Sequence, residues 1–113
     1  MAYNETLEKR LDAAWKVFPD SVLAALEKKK MFGGLAYLFK GKMTVGIVKE
    51  DLMVRVIDAK MPTVLAQDAV RPMDFTNKPM KEFIYVSEGG IKTEADLQNW
   101  LELGLEHAKT KVS

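Results

Sequence analysis

Few side chains in this sequence could do acid–base or covalent chemistry. His107 is the only histidine. It falls near the end of a helical stretch, beside no serine or carboxylate in a recognisable arrangement, and a cation near a helix C-terminus is a sufficient reading of it. The chain has no cysteine, so thiolate nucleophiles, disulfides and sulfur-ligated metals are excluded. One histidine without a carboxylate cluster does not make a metal site, and no metal or cofactor is expected. The glycine pair in MFGGLAYLF lacks the G-x-x-x-x-G-K-[ST] pattern and does not lead from a strand into a helix. Gly33 and Gly34 therefore read as a bend or bulge between strands rather than a phosphate loop. Five lysines gather in EKKK, Glu27 to Lys30, and at Lys40 and Lys42, where they could touch phosphates. Protection of a strand edge is the preferred reading. Nothing here amounts to a catalytic constellation, and an enzyme is not expected.

The elements that would position these residues are legible from periodicity. Behind Asn4, a plausible N-cap, Leu7, Leu11, Ala14, Trp15 and Phe18 recur on one helical face, and Pro19 ends that helix. SVLAAL adds a further turn. From there the pattern changes to short apolar runs broken by KGK and KED, which predicts an antiparallel meander over Lys28–Phe32, Leu35–Phe39, Met43–Val48 and Leu52–Ile57. Pro62 opens a short helix through about Gln67. EFIYV is a fifth strand, Gly89-Gly90 its turn, and Thr93 with Asp96 a variant capping box. The last helix carries Leu97, Trp100, Leu101, Gly104, Leu105 and Ala108 on one face. The expected fold is α+β in two layers: an antiparallel five-stranded sheet, a four-strand meander plus one, with N- and C-terminal helices packed on one face. Trp15 and Trp100 should both face that sheet.

RPMDFTNKPM, Arg71 to Met80, shows no period and reads as an irregular link. In DLMVRV, Leu52, Val54 and Val56 point one way and Met53, Arg55 and Ile57 the other, while LAYLF is apolar on both faces. The sheet face away from the helices is thus less polar than usual, which calls for cover by a loop, a second copy or a ligand. The decapeptide is the obvious loop, stiffened by Pro72 and Pro79. The seven methionines suit adaptable contacts, and a homodimer is expected.

With 113 residues, 48% of them hydrophobic and 29% charged, one globular domain spanning 1–113 is expected rather than disorder. The net charge of +1 gives no long-range pull toward nucleic acid or anionic lipid, so nucleic-acid affinity should be absent or weak. MAYNETLEKR lacks the apolar core of a signal peptide, and no apolar run approaches membrane-spanning length. A cytoplasmic location without membrane attachment is expected.

KKMFGGLAYLFKGKM, DLMVRV and RPMDFTNKPMKEFIYV, in this order and spacing, resemble the TfoX/Sxy N-terminal-domain family over nearly the whole chain. The resemblance implies a two-layer α/β domain with an antiparallel sheet backed by helices. Its signature falls on Met31, Phe32, Gly33, Gly34, Arg55, Arg71, Pro72, Met73, Asp74, Phe75, Pro79 and Met80, none of them catalytic. Asn77 stands where the family usually has glycine, and asparagine also tolerates a left-handed turn. The family is named for regulators of bacterial natural competence in which a C-terminal domain follows this module, and the expectation here is the N-terminal module alone. A small non-enzymatic regulatory or protein-binding module is implied, acting in transcription-related control. The polar trio Arg55, Arg71 and Asp74 is the candidate recognition or structural cluster, with Asp74 expected between the two arginines. The alternatives are a small-anion-binding or enzymatic domain built on Arg55 and Arg71, and a weak nucleic-acid binder.

Overall fold

A computed structural model describes residues 4–31, 34–75 and 78–111, with the side chains of residues 31, 73–75 and 78–81 outside that description. The N-terminal helix α1 (Glu5–Trp15) begins where the Asn4 carboxamide oxygen accepts the Leu7 amide at 3.0 Å. Pro19 caps a second, single-turn helix α2 (Asp20–Leu23). Strands β1 (Leu26–Met31), β2 (Gly34–Phe39), β3 (Lys42–Val48) and β4 (Asp51–Arg55) follow as a meander. The short helix α3 (Met61–Leu65) has Pro62 in its first turn. Strands β5 (Val70–Phe75) and β6 (Lys78–Val86) lead to the long helix α4 (Glu94–Lys111). Its start is the reciprocal capping pair read from the sequence: Thr93 Oγ1 accepts the Asp96 amide at 3.1 Å, and Asp96 Oδ2 accepts the Thr93 amide at 3.2 Å.

All pairings are antiparallel and the sheet order is β1-β2-β3-β4-β6-β5. The sheet has six strands, not five, and the correction falls on RPMDFTNKPM. Its described residues end β5 and begin β6, which pairs on its other side with β4. Pro72 hid this strand from a periodicity reading, because a proline argues against a central strand. At a sheet edge, where one row of N–H groups goes unpaired, it is tolerated. A register shift between Pro72 and Asp74 marks the same strand as irregular.

The register sorts side chains onto two faces. Lys30, Leu35, Ile47, Leu52, Val86 and Val70 form one row, and Lys28, Tyr37, Val45, Val54, Ile84 and Pro72 the next. Residues of these rows meet Leu7, Leu11, Trp15, Leu97, Trp100 and Leu101 in one buried cluster, so both tryptophans do face the sheet. Each such aliphatic side chain contributes roughly 1.5–3 kcal/mol on full burial. Two glycines permit close approach. A Cβ on Gly104 would lie 2.5 Å from the Thr44 carbonyl oxygen, so α4 crosses β3 nearer than a larger residue allows. One on Gly34 would lie 2.1 Å from the Ile47 carbonyl oxygen, which accounts for the second half of the glycine pair. Gly33 lies outside the described residues.

Candidate functional site

One polar cluster joins β4, β6 and α4. Glu82 stands on β6 two residues before Ile84, a parity that aims it toward the helix layer. There His107 Nε2 meets Glu82 Oε2 at 2.5 Å, and Arg55 donates to Glu82 Oε1 at 3.3 Å. Lys111 adds a cation 3.9 Å away. The His107 side chain is 1% exposed. Among the described residues its Nδ1 has no partner, and its Nε2 faces the carboxylate, to which it donates when it carries the proton. The His107 hydrogen bond, then that of Arg55, holds the Glu82 carboxyl below the usual carboxylate range, against the opposing effect of burial. The Arg55 guanidinium also lies 5.2 Å from the Phe83 ring, opposite it in the register. His107 is therefore more than a cation near a helix end, as its sequence position suggested: it fastens α4 to the sheet.

A carboxylate–imidazole pair can relay protons, but a base must come within hydrogen-bond reach of a substrate atom. The sealed His107 ring does not. The nearest hydroxyl along the helix, that of Thr110, donates to the His107 carbonyl at 2.6 Å. The cluster is built to hold elements together.

Arg71, on β5, has a different set of partners. One terminal nitrogen donates to Ser87 Oγ at 2.9 Å, the other to the Asp51 carboxylate, and the guanidinium stacks 4.9 Å from the Tyr85 ring. Arg71 thereby clips β5 to the start of β4 across the intervening β6. Arg55 on β4 and Arg71 on β5, the two strands that flank β6, thus have separate carboxylate partners, Glu82 on β6 and Asp51 on β4. The Asp74 side chain, expected between them, lies outside the described residues. So do the side chains of Met31, Met73, Phe75, Pro79 and Met80, and all of Phe32.

On the face away from the helices a single row runs from edge to edge: Lys29, Ala36, Gly46, Met53, Tyr85 and Arg71. Ala36 and Met53 are buried at its centre, whereas Lys29 and Arg71 are exposed at its ends. An open hollow of about 630 Å³ lies beside Trp100 and the Gly89-Gly90 turn. Its one hydroxyl side chain, that of Ser87, is engaged by Arg71. Among the described residues, no group of three or more His, Asp or Glu is placed to hold a metal ion, and no helix is long and apolar enough to cross a membrane.

Glu82 and Asp51 are the site residues that sequence reasoning missed. Glu82 had a signal: in EFIYV it shares the alternation of Ile84 and Val86, so it is a carboxylate on the apolar side of a strand. Asp51 had none, because its partner lies 20 residues away and its role appears only once β6 inserts between β4 and β5.

Comparison with known families finds that the model of the TfoX N-terminal domain matches residues 21–108. No curated protein and no solved structure matches the chain.

Proposed function

Because the chain belongs to the TfoX N-terminal domain family, we propose that it is a small regulatory module that works by binding a protein partner, without catalysis of its own. The observation that carries this reading is where the charged groups spend their donors. Arg55 and His107 are directed at Glu82, and Arg71 at Asp51 and Ser87, all within the molecule. Such pairs hold a rigid sheet in place; they do not prepare a nucleophile or a base. A role in transcription-related control is supported by the family membership.

The test has two readouts in cells: crosslinking of the tagged chain followed by nuclease treatment, and transcript profiling with and without the chain. The reading expects a protein recovered at fixed stoichiometry and a defined set of transcripts changed. Recovery of nucleic acid alone, or turnover of a substrate by the purified chain, contradicts it. The anion-receptor alternative has one observation in its favour: the Arg71 side chain is 49% exposed. Titration with inorganic phosphate separates the two, since a receptor built on Arg71 would be stabilised against unfolding and a structural clip would not. Asp74 completes the proposed trio, and an Asp74→Ala, Arg71→Ala double-mutant cycle measures whether the two are coupled.

A further inference from the structure

We propose that the outer edge of β1 is a docking site for an extended, acidic segment of a partner protein, added to the sheet as a further strand. The proposal rests on the protein-binding reading above and names the surface and the partner chemistry it would use.

The ladder fixes which backbone groups are on offer. Lys40 donates its amide to the Ala25 carbonyl at 3.0 Å, which sets the phase of the pairing between β1 and β2. In an antiparallel pair the bonded and non-bonded positions alternate. Glu27, Lys29 and Met31 therefore exchange bonds with Leu38, Ala36 and Gly34, while Leu26, Lys28 and Lys30 turn their N–H and C=O groups outward. The strand pairs over six residues without a register shift, and it contains no proline. The opposite edge, β5, has both Pro72 and a shift. β1 is thus the edge on which a new strand would find a regular row of donors and acceptors.

The side chains select what can be added. Glu27, Lys28, Lys29 and Lys30 are all exposed, and the exposed Lys40 and Lys42 continue the positive stripe past the Leu26 end. Lys28 is engaged by Glu8 and Asp12, but no carboxylate partner of Lys29 or Lys30 occurs among the described residues. Alternation puts Lys29 on one face and Lys30 on the other, so an incoming strand is flanked by a cation on each side. A second copy of β1 would set lysine against lysine, and like charges across a strand pair repel. The same lysines that discourage self-pairing complement an acidic strand.

The probe is a fluorescein-labelled octapeptide of alternating glutamate and valine, with a lysine–valine octapeptide as control, followed by anisotropy at two salt concentrations. The wild type should bind the acidic peptide, more weakly at high salt, and should not bind the control. Lys29→Glu/Lys30→Glu should weaken binding at least about tenfold. Lys30→Pro deletes one outward N–H and none of the bonds to β2, so it should abolish binding while the urea midpoint stays near wild type. If that variant does not fold, the charge-reversal variant carries the test. Equal affinity for both peptides, unchanged affinity in the charge-reversal variant, or sedimentation showing that β1 already pairs with a second copy overturns the proposal. A cellular partner retained by the charge-reversal variant overturns the edge while leaving the protein-binding reading standing.

Discussion

The β1 side and the β4–β6 side of the sheet are each tied to a helix by a small cluster of charges, in very different surroundings. On the β4–β6 side Glu82 takes a buried imidazole from α4 together with the Arg55 guanidinium. On the β1 side Lys28 donates to Glu8 and Asp12 of α1 at 2.7 and 3.1 Å, and Asp12 also takes the Tyr37 hydroxyl at 2.7 Å. The Lys28 and Asp12 side chains are 40% and 42% exposed, against 1% for His107. An ion pair in water adds little, because solvent already satisfies both charges. A buried polar group must keep its partner, because nothing else replaces it. One side of the sheet is therefore locked, and the other is held lightly with its edge in solvent.

Removing Glu82 should do the most damage. Glu82→Ala leaves the buried His107 without its acceptor and Arg55 without its carboxylate, and should cost about 2–3 kcal/mol, less than the ~3–5 kcal/mol of breaking a fully buried pair because Glu82 is partly exposed. Urea unfolding measures it, and a loss under about half a kilocalorie would remove the contrast between the two sides.

Acid and alkali should strike different sides. The Glu82 carboxyl is held below its ordinary value of 4.5, so its contribution to stability is present above that pH and is lost as pH falls through the lower folded value. The Lys28 ammonium is raised above its ordinary 10.5, first by its hydrogen bond to Glu8, so its contribution is present below that pH and is lost as pH rises through the higher folded value. Stability measured against pH in wild type and Glu82→Gln should differ in the slope of the acid limb. Parallel acid limbs would mean that Glu82 ionisation is not linked to folding.

Much of the locked framework could be read from residues near one another in sequence. The stripes Leu7–Leu11–Ala14–Trp15 and Leu97–Trp100–Leu101–Leu105 follow helical spacing, and the meander is punctuated by its own turns. β5 was not readable, because Pro72 interrupts the pattern and only an edge position, known from the whole sheet, makes it acceptable. The Glu82–His107 pair spans 25 residues and joins a strand to a helix, so no local spacing announces it. The lysines of β1 were visible as edge protection, yet which of them turn their backbone outward depends on the register with β2.

Arg71→Ala should cost about 1 kcal/mol, since its half-exposed guanidinium loses Asp51, Ser87 and the Tyr85 ring but leaves no buried charge behind. Thermal unfolding should show this as a modest fall in Tm. A loss as large as that of Glu82→Ala would place β5 among the locked elements. Smallest of all, Lys28→Met should cost under about 1 kcal/mol. A larger loss in urea unfolding would mean that the exposed cluster holds β1 firmly after all.

Backbone amide exchange along β1 tests most directly whether this edge is open and receptive. In the protein alone, Glu27 and Lys29 should exchange slowly because their amides bond to β2, while Lys28 and Lys30 between them should exchange fast. With the acidic octapeptide present, Lys28 and Lys30 should become protected and Glu27 and Lys29 should change little. Uniform protection of all four amides in the free protein, or fast exchange at Lys28 and Lys30 that saturating peptide leaves unchanged, would contradict the account.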